Sequence, residues 1–209
     1  MPERVFRPVV FAVLVFWVCP GCRPDSLKPA EYVQYIKKPG HGFVERQEDS
    51  GIFLEAFYQP PEYVALTRLK AENLNNSTLS EETNKSAAFY QFVLSVGSAK
   101  AVKVDEMLAK IADDGEPFGT KKQRMLYGLQ NSFSLLAERD SLPCVFYHAQ
   151  PSGNIDNAYH FILVFEPGNE KGRSEENLTL IYHDSIWLQK RLEFVFDKNK
   201  INQSPKLKL

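Results

Sequence analysis

The sequence has little with which to do covalent or redox chemistry. Three cysteines stand in 209 residues, at positions 19, 22 and 144, too few for a disulfide-stapled scaffold. It has no Gly-rich phosphate loop closing in Lys-Ser/Thr, no His-Glu-x-x-His and no Gly-x-Ser-x-Gly. The signatures of nucleotide, zinc-peptidase and serine-hydrolase chemistry are therefore missing. Excess charge of one sign is lacking too. A formal net charge of -1 supplies no field to draw nucleic acid, which favours a strongly basic face. Nor does any apolar run reach the roughly 20 residues that a spanning helix needs. No pattern calls for a cofactor.

The longest apolar stretch is residues 9–18, VVFAVLVFWV, preceded by Arg4 and Arg7. A positive start followed by a short apolar run is the layout of an export signal; a buried N-terminal element is the competing reading. Directly after it come Cys19-Pro20-Gly21-Cys22 and a polar, Pro-containing stretch. This resembles the lipobox of bacterial lipoproteins, in which a small residue precedes the cysteine that is lipidated after cleavage. Gly21 and Cys22 fit that pattern, while Cys19 and Pro20 stand where the family takes an aliphatic and then a small residue.

The resemblance covers the first 22 residues. It implies lipid on Cys22 and attachment to a bacterial outer membrane or cell envelope, and Arg23 after the cysteine is compatible with outer-membrane sorting. Ordinary cleavage nearby would instead leave a free secreted protein. The expected organisation is a signal over 1–22 ending at the lipobox cysteine, a tether over 23–28 and a single globular domain over 29–209. Cys19 and Cys22 flank Pro-Gly as a redox pair would, but their place behind an export segment favours processing. Cys144 is then a lone, small hydrophobe in a strand. Without acylation, a Cys22–Cys144 disulfide stays open in an oxidising compartment.

The body reads as α+β, with an antiparallel-rich sheet or sandwich and two or three short helices. Runs rich in β-branched and aromatic residues at 144–149, 159–166, 178–182 and 192–196 are separated by polar or Pro/Gly-containing connections, the pattern of successive strands. Tyr159, Phe161, Leu163 and Phe165 share a face, with Ile162 and Val164 on the other. Apolar on both faces, that strand is expected at the sheet's centre, covered on both sides. Residues 43–47 and 52–58 read as two further strands, and the aromatic run 87–96 as another. Helices are expected over the short segment opening at Pro29, over 61–72, over 103–112, and after a capping box at Thr120-Lys121-Lys122-Gln123. Residues 73–86 read as loop, and the 197–209 tail as packed along the sheet edge as far as Pro205.

Two sets of residues are candidates for function. Tyr58, Tyr63, Tyr159 and Trp187 fall at or near the ends of apolar runs, where aromatic rings either cap the core or line a surface for an envelope protein, peptide or glycan. His148, His160, His183 and Asp184 lie at strand ends and would hold a metal only if the strands brought them together. Parity argues against this, because Cys144, Phe146 and His148 alternate onto one face while His160 lies opposite Tyr159 and Phe161. The expected function is an exported, lipid-anchored envelope protein with a structural or binding role. A secreted or periplasmic metal-dependent enzyme using the histidines is the alternative.

Overall fold

The computed structural model describes residues 24–100, 102–111, 115–137, 140–150, 157–167 and 177–209. Cys19, Cys22 and the export segment lie outside them. In chain order the first half is β1 (Ser26–Leu27), α1 (Pro29–Ile36), β2 (Val44–Asp49), β3 (Ile52–Gln59), α2 (Pro61–Arg68), α3 (Asn76–Ser86), β4 (Tyr90–Ser98) and α4 (Val104–Ile111). The second is α5 (Phe118–Tyr127), β5 (Phe133–Ala137), β6 (Asp140–Gln150), β7 (Ala158–Phe165), β8 (Leu178–His183), β9 (Arg191–Phe196), α6 (Lys198–Asn202) and β10 (Lys206–Leu207).

Eight strands form one sheet in the order β2-β3-β4-β7-β6-β5-β8-β9, and every pairing in it is antiparallel. The fold class is α+β, as the alternating pattern implies. The two outer strands curl towards each other until Gln47 Nε2 on β2 donates to the Glu193 carbonyl on β9 at 2.5 Å. Nearby, Lys190 Nζ meets Asp49 Oδ2 at 2.5 Å. The sheet is thus nearly a closed barrel.

Local chemistry sets the elements. The β2–β3 hairpin turns on Ser50 (φ 53) and Gly51 (φ 81), the two consecutive positive φ angles that match a tight turn to the strands' twist. Pro60 and Pro61 stop β3 and open α2, since Pro in a first helical turn forfeits only an already orphaned donor. β7 sits between β4 and β6, as expected, with Phe161, Leu163 and Phe165 buried. Its other face is only half-buried, because Ile162 and Val164 share it with polar neighbours on adjoining strands.

A bulge between Cys144 and Phe146 on β6 breaks the expected parity. Leu142 and Cys144 point inward, Val145 (45% exposed) and Phe146 (50%) point out, and Tyr147 and Ala149 pack back on the core. β6 also changes partner there. Its residues 140–143 pair with β5 and its residues from Cys144 onward pair with β7.

Four helical expectations are corrected. Six α-helices, none longer than 11 residues, occur among the described residues rather than two or three. Residues 76–86 form α3, because the Asn75 side chain accepts from the backbone N–H groups of Ser77 and Thr78 at 3.0 Å each, satisfying donors at a helix start. The helix expected over 61–72 ends at Arg68. The helix expected behind Thr120 starts at Phe118, straight after Pro117, so Thr120 lies inside it and caps nothing.

The tail does not follow the large sheet. It forms α6, and then β10 runs parallel to β1, Ser26 opposite Lys206 and Leu27 opposite Leu207. Part of the expected tether is therefore built into the domain.

One aromatic cluster fills the core's widest part. Phe92, fully buried, has Tyr58 and Phe196 at 5.3 Å and Phe165 at 5.9 Å between ring centroids. Phe92→Ala is expected to cost about 3–5 kcal/mol, transfer and cavity terms together. Phe89→Ala, at a site 43% exposed, should stay within about 0.5 kcal/mol. Urea denaturation of both variants checks this pair.

Candidate functional site

The ends of the nearly closed sheet carry the clefts. At one end β3 runs out at Gln59, β4 begins at Tyr90 and β8 begins at Leu178. A cleft of about 620 Å³ opens there. Phe43, Tyr58 and Leu178 contribute apolar surface, while Tyr32 from α1 and Lys198 from α6 bring polar groups. Phe89, Glu62, Lys206 and Leu207 also line it. Tyr32 and Lys198 are both buried. Burial pushes the Tyr32 phenol far above its ordinary range, and the nearby Glu62 carboxylate and Tyr58 add to that. A concave site of this size with a few fixed polar groups suits a small molecule or a short segment of polymer. Its even mix of ring faces and hydrogen-bonding groups suits an amphipathic one.

The other end holds a cleft of about 460 Å³ between α5 and the adjoining parts of β6 and β7. Here Tyr159 donates a short hydrogen bond to the Asp105 carboxylate. Lys122 Nζ lies 3.0 Å from Asp105 Oδ2, with its ammonium 5.8 Å from the centroid of the Tyr159 ring. The Tyr147 hydroxyl donates to the Met125 carbonyl and so fastens α5 to β6. Tyr127 stands at the lip, 76% exposed. Asp105, Lys122 and Tyr159 satisfy one another, which makes this group a clamp between α4, α5 and β7.

The four aromatic candidates do not form one surface. Tyr58, Tyr63, Tyr159 and Trp187 are 8%, 9%, 4% and 4% exposed, so each packs largely into the core. Tyr58 borders the larger cleft. Tyr63 meets Phe57 edge-on at 5.3 Å on the outer side of the sheet. Tyr159 and Trp187 are brought together, 6.2 Å apart, at the opposite end.

The histidines are divided as well. The β6 bulge turns His148 onto the outer face that carries His160, where the two are diagonal neighbours across β6 and β7. His160 Nδ1 is engaged with Ser95 Oγ at 2.8 Å. His183 ends β8, whose place in the sheet is three strands from β7. Asp184 is buried, and its Oδ1 accepts the backbone N–H groups of Ile186 and Trp187 at 2.9 and 3.0 Å. That carboxylate organises a turn. Among the described residues no three His, Cys, Asp or Glu side chains are placed to hold a metal ion. Cys144 is buried, and burial raises its thiol pKa, the opposite of an activated nucleophile.

Tyr32, Lys198, Asp105 and Lys122 are absent from the sequence candidates. The lysines read as ordinary surface charge, and Tyr32 reads as one apolar position of a short helix. A hint lay in α6, where Asp197 caps the helix with its side chain accepting from Asn199 N at 2.9 Å. A capped helix in a polar tail implies a packed partner.

Fold and clefts together define an α+β domain built on one nearly closed antiparallel sheet with a cleft at each end. No family model, curated protein or solved structure matches this chain.

Two outcomes are expected. Burial raises the phenol pKa of Tyr32, Tyr147 and Tyr182. Above about pH 10 the unfolded chain loses those protons and the native chain keeps them, so stability falls as pH rises further. Absorbance at 295 nm should therefore show fewer ionised tyrosines per native chain at about pH 11 than in urea. Equal numbers would contradict the burial. Separately, Asp184→Ala leaves buried backbone donors unpaired and should cost about 2–4 kcal/mol by chemical denaturation.

Proposed function

We propose that this chain is an exported protein held by lipid on Cys22 at a bacterial outer membrane or cell envelope, where its folded domain binds a partner. Support for export comes from Arg4 and Arg7, the apolar run over 9–18 and the Gly21-Cys22 pair. The observation that carries the reading is one of placement. Ser26, four residues after Cys22 in sequence, is paired with Lys206, and Lys206 and Leu207 line the larger cleft. Anchor and cleft then belong to the same end of the domain. No helix among the described residues is long and apolar enough to cross a membrane, and a lipid-held protein needs none.

A binding role rests on that cleft. Tyr58 and Phe43 offer ring faces, and Tyr32 and Lys198 offer hydrogen-bonding groups. That mixed chemistry fits a peptide, a glycan or a segment of an envelope protein.

The deciding measurement is the intact mass of the mature N-terminus, purified in detergent from the native host. Diacylglycerol on Cys22 is the expected result. An unmodified N-terminus cut near Cys22 would end the lipid reading and make a free secreted protein the working model. Retention of Met1 with the whole apolar run would overturn export itself.

A further inference from the structure

We infer that the α1–β1–β10–α6 end of the domain is a basic face that lies against anionic phospholipid headgroups. The inference rests on the lipid-anchor reading above and concerns what the anchor does to the domain.

The first observation is reach. Four residues separate Cys22 from Ser26, a span of at most about 14 Å when fully extended. β1 is not free to pay out more chain. Lys206 N donates to the Asp25 carbonyl at 3.0 Å and Lys208 N to the Leu27 carbonyl at 2.9 Å. A lipid on Cys22 therefore holds this end close to the headgroup layer, itself about 5–7 Å thick on each side. Charges so placed feel a lipid surface across a Debye length of about 8–10 Å at physiological salt.

The second observation is charge. The whole chain is close to neutral, yet segments 24–42 and 197–209 hold seven lysines against three acidic residues. Lys28, Lys200, Lys206 and Lys208 are all exposed. Two of the three acids are occupied within the fold. A Glu31 carboxylate oxygen accepts the Lys28 backbone N–H at 3.2 Å, and Asp197 Oδ1 accepts the backbone N–H groups of Asn199 and Lys200. Opposing charges are Asp25, the carboxylate of Leu209 and, from β2, Glu45, whose charge is felt by Lys200. The balance stays positive, and each lysine near an anionic leaflet adds attraction. A lipid chain with an adjoining basic patch is a two-signal membrane attachment. The chain supplies the hold and the lysines supply the orientation.

The test uses the full protein purified from its host and reconstituted into vesicles of phosphatidylcholine, alone or with about one lipid in three replaced by phosphatidylglycerol. A membrane-impermeant amine reagent followed by peptide mapping reads each lysine. Lys28, Lys200, Lys206 and Lys208 should react at least about three-fold more slowly on the anionic vesicles, and the difference should vanish near 0.5 M salt, where screening is short-ranged, about 4 Å. Lys110, on α4 at the opposite end, should react alike on both. Lys206→Glu with Lys208→Glu, both at exposed positions, should abolish the protection of Lys28 and Lys200. Equal rates on both vesicle types, in protein whose mass shows the lipid, would overturn the basic face and leave the anchor intact. If the mass shows no lipid, the anchor reading fails by itself. Co-sedimentation of that protein with anionic but not neutral vesicles would then still support the face, and no co-sedimentation would overturn it.

Discussion

The molecule depends on the passage of β6 from one half of the sheet to the other. Its first residues complete β5, β8 and β9, and its later ones complete β7, β4, β3 and β2. A strand that changes partners needs a corner, and the bulge at Cys144–Phe146 supplies it. The corner is held from inside by rings. Phe133 of β5, Tyr147 of β6 and Phe161 of β7 lie 5.8 and 5.6 Å apart in succession, and Tyr182 of β8 stacks on Phe133 at 4.4 Å. From outside, Gln130 Nε2 donates to the Cys144 carbonyl at 3.0 Å, occupying a backbone acceptor at the bulge. Without this corner the two halves would be separate sheets with four edges between them.

The strands were legible because alternation survives in β3, β4, β7 and β9, where buried residues recur at every second position. Parity within β6 was not, because one extra residue reverses every side chain beyond it. Period two cannot register a bulge. Hence Phe146 and His148 were assigned to the face of Cys144, although the chain turns them outward. α3 was hidden for a different reason. Its sequence NSTLSEETNKS buries only Leu79 and Ser86, leaving almost no apolar stripe to find, and its start is set by an Asn side chain that serves turns equally well.

The candidate sites were less legible than the fold. A ring at the end of a strand has two environments open to it, and sequence spacing does not distinguish them. Tyr58 and Tyr159 turned inward because the sheet curls, so that strand ends converge on the core. Lys198 shows the reverse problem. A lysine in a polar tail gives no sign that α6 will press it into a cleft wall, since its burial depends on β10 finding β1 more than 170 residues away in sequence.

Near-closure of the sheet also limits where recognition can occur. A free sheet edge invites an added strand, but the β2 and β9 edges here engage each other through Gln47–Glu193 and Asp49–Lys190. The outer face of β3, β4 and β7 is half-buried and interrupted by polar residues. Phe57, Val93 and Ile162 form one apolar row beside Glu55, Ser95 and His160, so it offers no continuous apolar patch. What remains is the ends. One of them is tied by Tyr159, Asp105 and Lys122 into a clamp whose charges already have partners. The other carries the larger cleft, the buried Tyr32 and Lys198, and the strand pair through which the chain reaches Cys22. A ligand bound there would meet the protein at its basic end, so binding and membrane contact would compete for, or share, the same lysines.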